Sequence, residues 1–447
     1  MATDKRMMKL ACHIHMTGHH VAAWLHPRSQ KDAGSNVEHF LEMAKLAERG
    51  KFDMIFLADA PATRRGNLDG LSRWPQYMAH FEPLTIYSAM AAVTKHVGFG
   101  ATATTSYLEP YNLARLFGSL DHISHGRAAW NIVTTANPAV APNFGLEEHY
   151  SHADRYRRAH EFVEIVKGLW DSYDDDAFVR DTETGVYFDP KKLHQLNHKG
   201  EFFQVAGPLN MARPPQGYPV LIQAGVSDDG RGLAAAVADA VFIQTLKLST
   251  AQGIYKDIKE RVVAAGREAD DLKLMPGMAI IVADTEDEAK REYDWLQSKI
   301  HPLVGIELLG SQLGYIEFGD LDVNQPFPAH LMPPEDTSHG KRVRELMRDG
   351  HVTVRQMYEQ FSGARGSHVL FGTPKQIADG LQEWFESRGA DGFIIQPSVL
   401  PGGMEDFVDK VVPELQRRGV FRKEYEGKTL RENMGLKRPP SRYAKQA

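Results

Sequence analysis

The sequence predicts a (β/α)8 barrel, a closed parallel sheet of eight strands with helices between most of the strands. Short apolar segments typical of buried strands alternate with segments of helical spacing from residue 8 to residue 396. Several of these strands run into polar residues, as at Asp59 and Asn131. Parallel strands need crossover connections, and barrel enzymes collect their active-site residues at the carboxyl ends of the strands. An open, doubly wound sheet is the competing architecture.

Eight segments are predicted as the strands of the barrel. They are residues 8–15, 52–58, 97–101, 128–130, 220–224, 240–244, 272–282 and 392–396. Helices are predicted at about 36–49, 83–96, 111–123, 154–170, 230–237, 250–265, 285–300 and 373–387. The alternation of the two kinds of segment is what favours crossover connections and a parallel sheet.

A single domain is predicted over residues 1–447, because barrels with insertions routinely exceed the usual domain length. Two stretches interrupt the alternation, at about 171–217 and 301–372. The second contains apolar pairs such as Leu308-Leu309 and is predicted to be a lid that orders over a ligand. The tail at about 419–447 is predicted to be a surface arm of the kind that often crosses to a second subunit.

The composition is that of an ordinary globular protein. A net charge of −6 gives no general basic surface and argues against nucleic acid as a partner. No window approaches the ~20 apolar residues that a membrane-spanning helix needs. Cys12 is the one cysteine, which excludes an internal disulfide framework. The amino-terminal residues lack the apolar stretch of a signal peptide, so a cytoplasmic protein without a membrane partner is expected.

His13 and His15 at the end of the first strand raise the possibility of a metal site. Residues two apart on a strand share a face, so both rings could ligate one ion. Further ligands would have to come from later strand ends. Asp59 is one candidate, but the other strand ends offer amides such as Asn131 and Gln396. We therefore expect no metal, and a metal-dependent barrel hydrolase is kept as the less favoured alternative.

Two glycine-containing segments partly resemble phosphate-binding motifs. Residues 98–103 match G-x-G-x-x-A, but the β-branched segment that follows and Pro110 do not open a helix, so a dinucleotide fingerprint is rejected. The segment 223–231, QAGVSDDGR, passes from a strand through Gly225 and Ser227 into a helix. Ser227 could take part in a phosphate cradle or simply cap the helix. Asp228 and Asp229 are expected to face outward.

Together, these segments resemble the bacterial luciferase-like flavin monooxygenases, and specifically the nitrilotriacetate monooxygenase group with the dibenzothiophene-sulfone and long-chain alkane monooxygenases. The matching motifs cover nearly the whole chain, and the lid and residues 60–78 match least. Those motifs include ERGKFD at 48–53, FLAD at 56–59, SLDHISHGRAAWNIVT at 119–134, NFG at 143–145, GPLN at 207–210, PQG at 215–217, QAG at 223–225, ADGF at 390–393, VPELQ at 412–416 and EYEGKTLRE at 424–432.

The resemblance implies a homodimeric or homotetrameric barrel that uses O2 and FMN, as FMNH2 supplied by a separate NAD(P)H:flavin reductase. It implies flavin contacts at five positions. These positions are Asp59, Thr102, His152, Tyr156 and Ser227. Asn131, at a strand end beside Thr102, is added as a residue that can bond the polar edge of the flavin or its ribityl chain.

In such enzymes a flavin C4a-(hydro)peroxide transfers one oxygen atom to the substrate, so the site must exclude water. His19 is the predicted catalytic residue, beside the flavin ring. Met16 stands where similar alkane hydroxylases have a cysteine, and it is placed with the substrate-binding residues. Arg64 and Arg65 are the other substrate-binding candidates, because arginine binds carboxylates in a bidentate fork. Two solvated loop arginines are the alternative.

We therefore expect oxygenation of a small organic substrate next to nitrogen or sulfur, with C–N or C–S cleavage. An aminopolycarboxylate or a modified amino acid is the favoured substrate class. A flavin-binding protein without oxygenase activity is the rival hypothesis, since relatives of luciferase include flavoproteins of that kind.

Overall fold

The computed structural model describes residues 6–225, 227–319, 321–334 and 352–444, together with 340, 343, 344, 346, 347 and 350. Parts of the predicted lid (320, 335–339, 341, 342, 345, 348, 349 and 351), residues 445–447 of the predicted arm, and residues 1–5 and 226 lie outside the described residues. Among the described residues no helix is long and apolar enough to cross a membrane.

The described strands, in chain order, are β1 Lys9–His13, β2 Met54–Leu57, β3 Gly98–Thr104, β4 Ala128–Val133, β5 His198–Lys199, β6 Gln204–Val205, β7 Val220–Ala224, β8 Ala240–Ile243, β9 Lys273–Val282, β10 His368–Gly372 and β11 Gly392–Pro397. The α-helices are α1 Val37–Arg49, α2 Leu68–Leu71, α3 Pro83–Ala92, α4 Pro110–Ile123, α5 His152–Trp170, α6 Asp228–Val237, α7 Leu248–Ala264, α8 Glu286–Ser298, α9 Pro302–Gln312, α10 Val354–Ser362, α11 Pro374–Glu386, α12 Gly402–Asp406, α13 Val412–Arg417 and α14 Leu430–Asn433. A π-helical turn, Phe407–Val411, joins α12 to α13.

A parallel sheet closes on itself in the order β9-β11-β1-β2-β3-β4-β7-β8, and the pairing of β8 with β9 completes the cylinder. These are the eight predicted strands, so the predicted (β/α)8 barrel is confirmed and the open sheet is excluded. β5 and β6 form a separate antiparallel hairpin within 171–217. β3 runs through Thr104, further than predicted, and no helix begins inside the glycine motif.

Apolar side chains from the strands fill the interior of the barrel. Met54, Phe56, Ile222, Met275 and Ile394 belong to one buried cluster. At the height of Ile222, β3 has Gly100 in place of a larger residue, because a Cβ there would lie only 3.2 Å from Ile222 Cδ1. The interior is therefore a packed core, and polar chemistry is confined to its two ends.

The predicted lid is less irregular than its glycines and prolines suggested. It contains α9, α10 and the strand β10, which pairs with the carboxyl-terminal half of β9. α9 packs closely on α10, where a Cβ on Gly305 would lie 2.4 Å from Tyr358 Cδ1. The two helices share a second apolar core with Leu71 and Trp74. β10 was missed because its five residues lie outside the barrel alternation and are only partly buried.

The carboxyl-terminal tail packs across the amino-terminal end of its own barrel. Leu430, Met434 and Leu436 join the interior cluster, and Leu430 approaches the start of β3 so closely that a Cβ on Gly98 would lie 2.7 Å from its Cδ2. The Arg431 guanidinium donates to Asp239 at 2.7 and 2.9 Å. The described part of the predicted arm therefore closes the bottom of the barrel.

We expect Leu430→Ala to lower the free energy of unfolding by about 3 kcal/mol, because it removes a fully buried side chain from a site with little room to collapse. Urea denaturation measures this. Leu68→Ala, at a side chain that is 77% exposed, is the matched control and should change stability by less than about 0.5 kcal/mol. Equal effects of the two substitutions would contradict the role of α14 as a plug.

Candidate active site

The carboxyl end of the barrel gathers polar side chains above the apolar interior. Asn131 of β4 donates from Nδ2 to Thr102 Oγ1 at 2.8 Å, and Thr102 donates to the Leu57 carbonyl at 2.7 Å. Asn131 Oδ1 is buried and makes no hydrogen bond within the chain. The two predicted residues are thus brought together, with one acceptor left free.

Gln396 of β11 and Ser367, just before β10, extend this polar layer. The side-chain amide of Gln396 and the hydroxyl of Ser367 are buried without hydrogen bonds in the chain. Both approach Gly277 of β9, where a Cβ would lie 2.6 Å from Ser367 Oγ and 2.8 Å from Gln396 Nε2. Buried polar groups without partners are costly, which makes this end of the barrel a candidate ligand site.

Three histidine rings form a cluster at the end of β1. The ring centroids of His13, His15 and His19 lie 5.1 to 5.7 Å apart. The segment that carries His19 is held by β11, since the His19 amide donates to the Pro397 carbonyl at 2.9 Å. Its turn requires Gly18, which has φ +135° and no room for a Cβ beside Ser398.

These imidazoles are held neutral. Burial lowers the pKa of His13 to about 3, and burial together with the nearby Arg365 cation lowers the pKa values of His15 and His19 well below the usual range. Arg365 donates to His15 Nε2, so the proton of the neutral His15 ring is on Nδ1. Within the described chain, no group of three or more His, Cys, Asp or Glu side chains is arranged to hold a metal ion.

His20 has a structural role. Its Nδ1 accepts from the Ala22 amide at 3.0 Å, and its Nε2 lies 3.0 Å from the Gln297 side-chain oxygen of α8.

Asp59, a predicted flavin contact, accepts from His80 Nε2 at 2.8 Å. Tyr77 lies between the Asp59–His80 pair and the histidine cluster, and its ring centroid is 5.5 Å from that of His80 and 5.8 Å from that of His15.

The predicted phosphate residues meet at the start of α6. Tyr156 Oη lies 3.4 Å from Ser227 Oγ, which also accepts from the Gly230 amide at 3.1 Å as the helix cap. A Cβ at Gly230 would lie 3.1 Å from each hydroxyl oxygen, so glycine lets the three groups converge. Capping of α6 is therefore observed, and since one of the two hydroxyls donates to the other, one hydroxyl proton is left for a ligand.

His152 stands at the edge of this group. Its Nδ1 lies 3.3 Å from the Asp229 carboxylate, and both side chains are more than half exposed. Asp228 is turned away and bonds Arg261 at 2.6 Å, as expected. Asp229 is exposed but bends toward His152, so an incoming phosphate would compete with a carboxylate for that ring.

A cavity of about 380 Å³ lies under the predicted lid. Arg64 and Arg65 line it together with Trp74, His149 and the lid residue Tyr315. The Arg64 guanidinium stacks 3.7 Å from the Trp74 ring centroid and donates to the Gln76 carbonyl. Arg64 is therefore fixed at the cavity wall, whereas Arg65 is exposed.

Met16 lies apart from the arginines. It is buried in a left-handed conformation and lines a separate, smaller cavity with Lys31, Gly34 and Met78. Its sulfur would lie 3.6 Å from a Cβ at Gly34. The structure therefore places this predicted substrate residue outside the cavity that Arg64 and Arg65 share.

A family model described as luciferase-like monooxygenase matches residues 16–392. The chain belongs to this family. The N-acetyl-S-(2-succino)cysteine monooxygenase of Bacillus subtilis (strain 168) is 49% identical over 447 residues, with 100% of each chain covered. Component A of the nitrilotriacetate monooxygenase of Aminobacter aminovorans is 44% identical over 448 residues, with 98% and 99% covered. The predicted resemblance is confirmed, and this luciferase-like protein is an enzyme, a flavin-dependent monooxygenase.

Solved structures of the family agree with this fold. The crystal structure of a long-chain alkane monooxygenase has a TM-score of 0.86 at 33% identity, covering 97% of this chain and 96% of that one. A riboflavin lyase, crystallised with modified FMN and its substrate riboflavin, has a TM-score of 0.87 at 29% identity, with 97% of each chain covered.

Several residues of this luciferase-like site were not predicted from the sequence. Arg365, Ser367 and Tyr77 come from the two segments that match the family least, and His80 follows the second of these segments by two residues. For Gln396 the sequence indicates only a strand-end amide, which is a poor metal ligand. The sequence does offer a signal for Arg365, since the segment SGARGS at 362–367 places one arginine among small residues directly before an apolar segment.

The buried histidines predict how stability depends on pH. The pKa of His20 in the folded protein is lowered to about 4, mainly by burial, so the unfolded chain binds its proton first as the pH falls. Stability is therefore fully present above about pH 6.5 and is lost toward pH 4. Each such histidine contributes about 1.4 kcal/mol of this loss per pH unit once the unfolded imidazole is protonated.

Urea unfolding at pH 7.5 and 5.5 tests this expectation with His20→Gln, which removes one titrating imidazole. The variant should lose less stability between the two pH values than the wild type, by about 1 kcal/mol. His330→Gln, at an exposed position, controls for a histidine change on the surface. An equal loss in His20→Gln and the wild type would show that the His20 imidazole does not contribute.

Proposed function

We propose that this enzyme is the oxygenase of a two-component system. It would take reduced FMN from a separate NAD(P)H:flavin reductase and use O2 to oxygenate a small organic substrate. The support is the family membership and the relative that is named component A of nitrilotriacetate monooxygenase. Bound flavin supplies the activation of oxygen. The chain supplies binding, orientation and protection from water.

The residues present fit a flavin. An isoalloxazine presents carbonyl oxygens and ring nitrogens along one edge, and such an edge can use the free atoms of Asn131 and Gln396. Thr102 holds the Asn131 amide in place. The hydroxyls of Tyr156 and Ser227 at the amino terminus of α6 suit the phosphate, since helix amino termini attract anions. His152 and Asp59 remain candidates for the phosphate and for a polar group of the flavin, respectively.

The neutral histidine cluster suits a site in which oxygen chemistry must be kept from water. His19 can donate or accept one hydrogen bond without bringing a charge, because burial keeps its pKa low. Helix α9, which packs on α10, lines the cavity and would limit the entry of solvent once a ligand is bound. We therefore assign to His19 a positioning role toward the reacting atoms, and to the lid the exclusion of water.

The observation that carries the substrate class is the Arg64 guanidinium fixed on Trp74 at the wall of the cavity. No carboxylate of the described residues forms an ion pair with it, so a bound acid can. An aminopolycarboxylate or a modified amino acid is thus the favoured substrate, oxygenated next to nitrogen or sulfur with C–N or C–S cleavage. Two relatives are named for acids of these kinds.

Ser227→Asp separates capping from phosphate binding. Aspartate caps helices as well as serine does, so the melting temperature should be unchanged, while its charge repels a phosphate. We expect the Kd for FMN to rise by about 10-fold or more and the Kd for riboflavin, which has no phosphate, to stay the same. Flavin fluorescence titration measures both, with Ser298→Ala on the exposed end of α8 as a control. Unchanged FMN affinity would leave Ser227 as a cap alone.

Oxygen uptake with an added flavin reductase tests the function itself. With amino- and thio-polycarboxylates, uptake should be coupled to product and little H2O2 should appear. Arg64→Gln should raise KM for an acidic substrate by about 10-fold or more, because a desolvated charged hydrogen bond is lost. Arg65→Gln, at an exposed arginine of the same loop, should have a smaller effect. H2O2 release that is independent of every substrate would favour a passive flavin-binding protein.

A further inference from the structure

Arg365 is a buried cation without a counterion. Its side chain is 6% exposed, and no Asp or Glu of the described residues lies within ion-pairing distance. Its Nε makes no hydrogen bond, and one Nη donates to the neutral ring of His15. Burying an unpaired charge is expensive, so Arg365 does not stabilise the fold through an ion pair and could gain one from an anionic ligand.

A second arginine shares the same aromatic ring. The guanidinium carbons of Arg64 and Arg365 lie 3.7 and 5.9 Å from the Trp74 ring centroid. Burial, with the repulsion between the two cations, lowers the pKa of Arg365 to about 9, and burial lowers that of Arg64 to about 10. Positive charge is therefore found at two neighbouring points, with Arg64 on the cavity wall and Arg365 beside His15 of the histidine cluster.

The carboxylates that line the cavity do not neutralise this charge. Of the described carboxylates, Glu307 of α9 is the one whose negative charge raises the pKa of Arg64. Its Oε1 is already used, since it accepts from the Asn67 amide at 2.9 Å. A Cβ on Gly66 would lie 1.9 Å from its other oxygen, so Glu307 is held against the loop backbone. Glu147, Glu148 and Glu317 also line the cavity, and among the described residues no ion pair joins any of the four carboxylates to Arg64 or Arg365. An anionic ligand can therefore supply the missing negative charge.

We propose that Arg365 and Arg64 form a two-point clamp for a substrate that carries two carboxylates on one arm, of the succinate or iminodiacetate type. Arg365 binds the carboxylate nearer to the histidine cluster, and Arg64 binds the one under the lid. This inference rests on the proposed function, because it names the substrate class of the same site. Trp74 holds the two guanidinium groups and contributes an apolar floor for the carbon chain between the carboxylates.

The clamp predicts a preference that a structural arginine would not produce. If Arg365 served only to orient His15, its replacement would lower stability and affect all acids equally. If it binds the second carboxylate, its replacement should affect dicarboxylate ligands selectively. Removal of an unpaired buried charge should leave the melting temperature the same or raise it.

Calorimetry on the FMN-saturated enzyme tests the clamp with N-acetyl-S-(2-succino)cysteine and with N-acetyl-S-(carboxymethyl)cysteine, which has one carboxylate on its thioether arm. The wild type should bind the succino compound more tightly, by about 10-fold or more. Arg365→Gln should weaken binding of the succino compound by about 30-fold and binding of the carboxymethyl compound by less than about 3-fold. Arg365→Lys keeps the positive charge but cannot bind a carboxylate with two parallel hydrogen bonds, so its affinity for the succino compound should lie between those of the wild type and Arg365→Gln.

Equal losses for the two ligands, no preference in the wild type, or a lower melting temperature with unchanged selectivity would each overturn the clamp. A parallel oxygen-uptake assay separates the two hypotheses. Selective binding that depends on Arg365, with H2O2 as the product from every substrate, would uphold the clamp and refute the oxygenase function. Coupled oxygenation, with binding that does not depend on Arg365, would uphold the oxygenase function and refute the clamp.

Discussion

The pairing of β8 with β9 closes the parallel sheet, and the rest of the molecule depends on this closure. Because all strands of the cylinder run in one direction, their carboxyl ends meet at one mouth, and residues distant in sequence become neighbours there. His13, Asn131 and Gln396 come from three different strands. The apolar interior below them excludes water from beneath, so their polar atoms can be satisfied only from above.

The two ends of the barrel are built for opposite purposes. At the bottom, α14 inserts Leu430 and Met434 into the interior, and the Arg431–Asp239 pair holds the tail in place. The two charges of that pair neutralise each other, although Arg431 Nε itself makes no hydrogen bond within the described chain. At the top, Asn131, Gln396 and Arg365 are buried with atoms that bind nothing within the described chain. Stability is concentrated at the end that has no chemistry to perform, and the opposite end is left ready for ligands.

Electrostatics divides the mouth into two regions. The histidine cluster is neutral because burial and the nearby cation disfavour its protonated form. Next to it, Arg64 and Arg365 carry positive charge around Trp74. A neutral region suits the flavin ring and the reacting atoms, and a cationic region suits the acidic part of a substrate. The apolar core that α9 and α10 share with Trp74 lies against the cationic region, and α9 lines the cavity beside Arg64.

The sequence by itself determined the barrel, since apolar periodicity fixes which segments are strands and helices, and their alternation fixes a parallel sheet. It also indicated the polar strand ends at Thr102 and Asn131 and the meeting of Tyr156 with Ser227. It did not indicate β10, the plugging role of Leu430, the separation of Met16 from Arg64, or the approach of Arg365 to His15. Those features depend on contacts between residues as far apart as positions 15 and 365, which no local pattern records and only the packed structure decides.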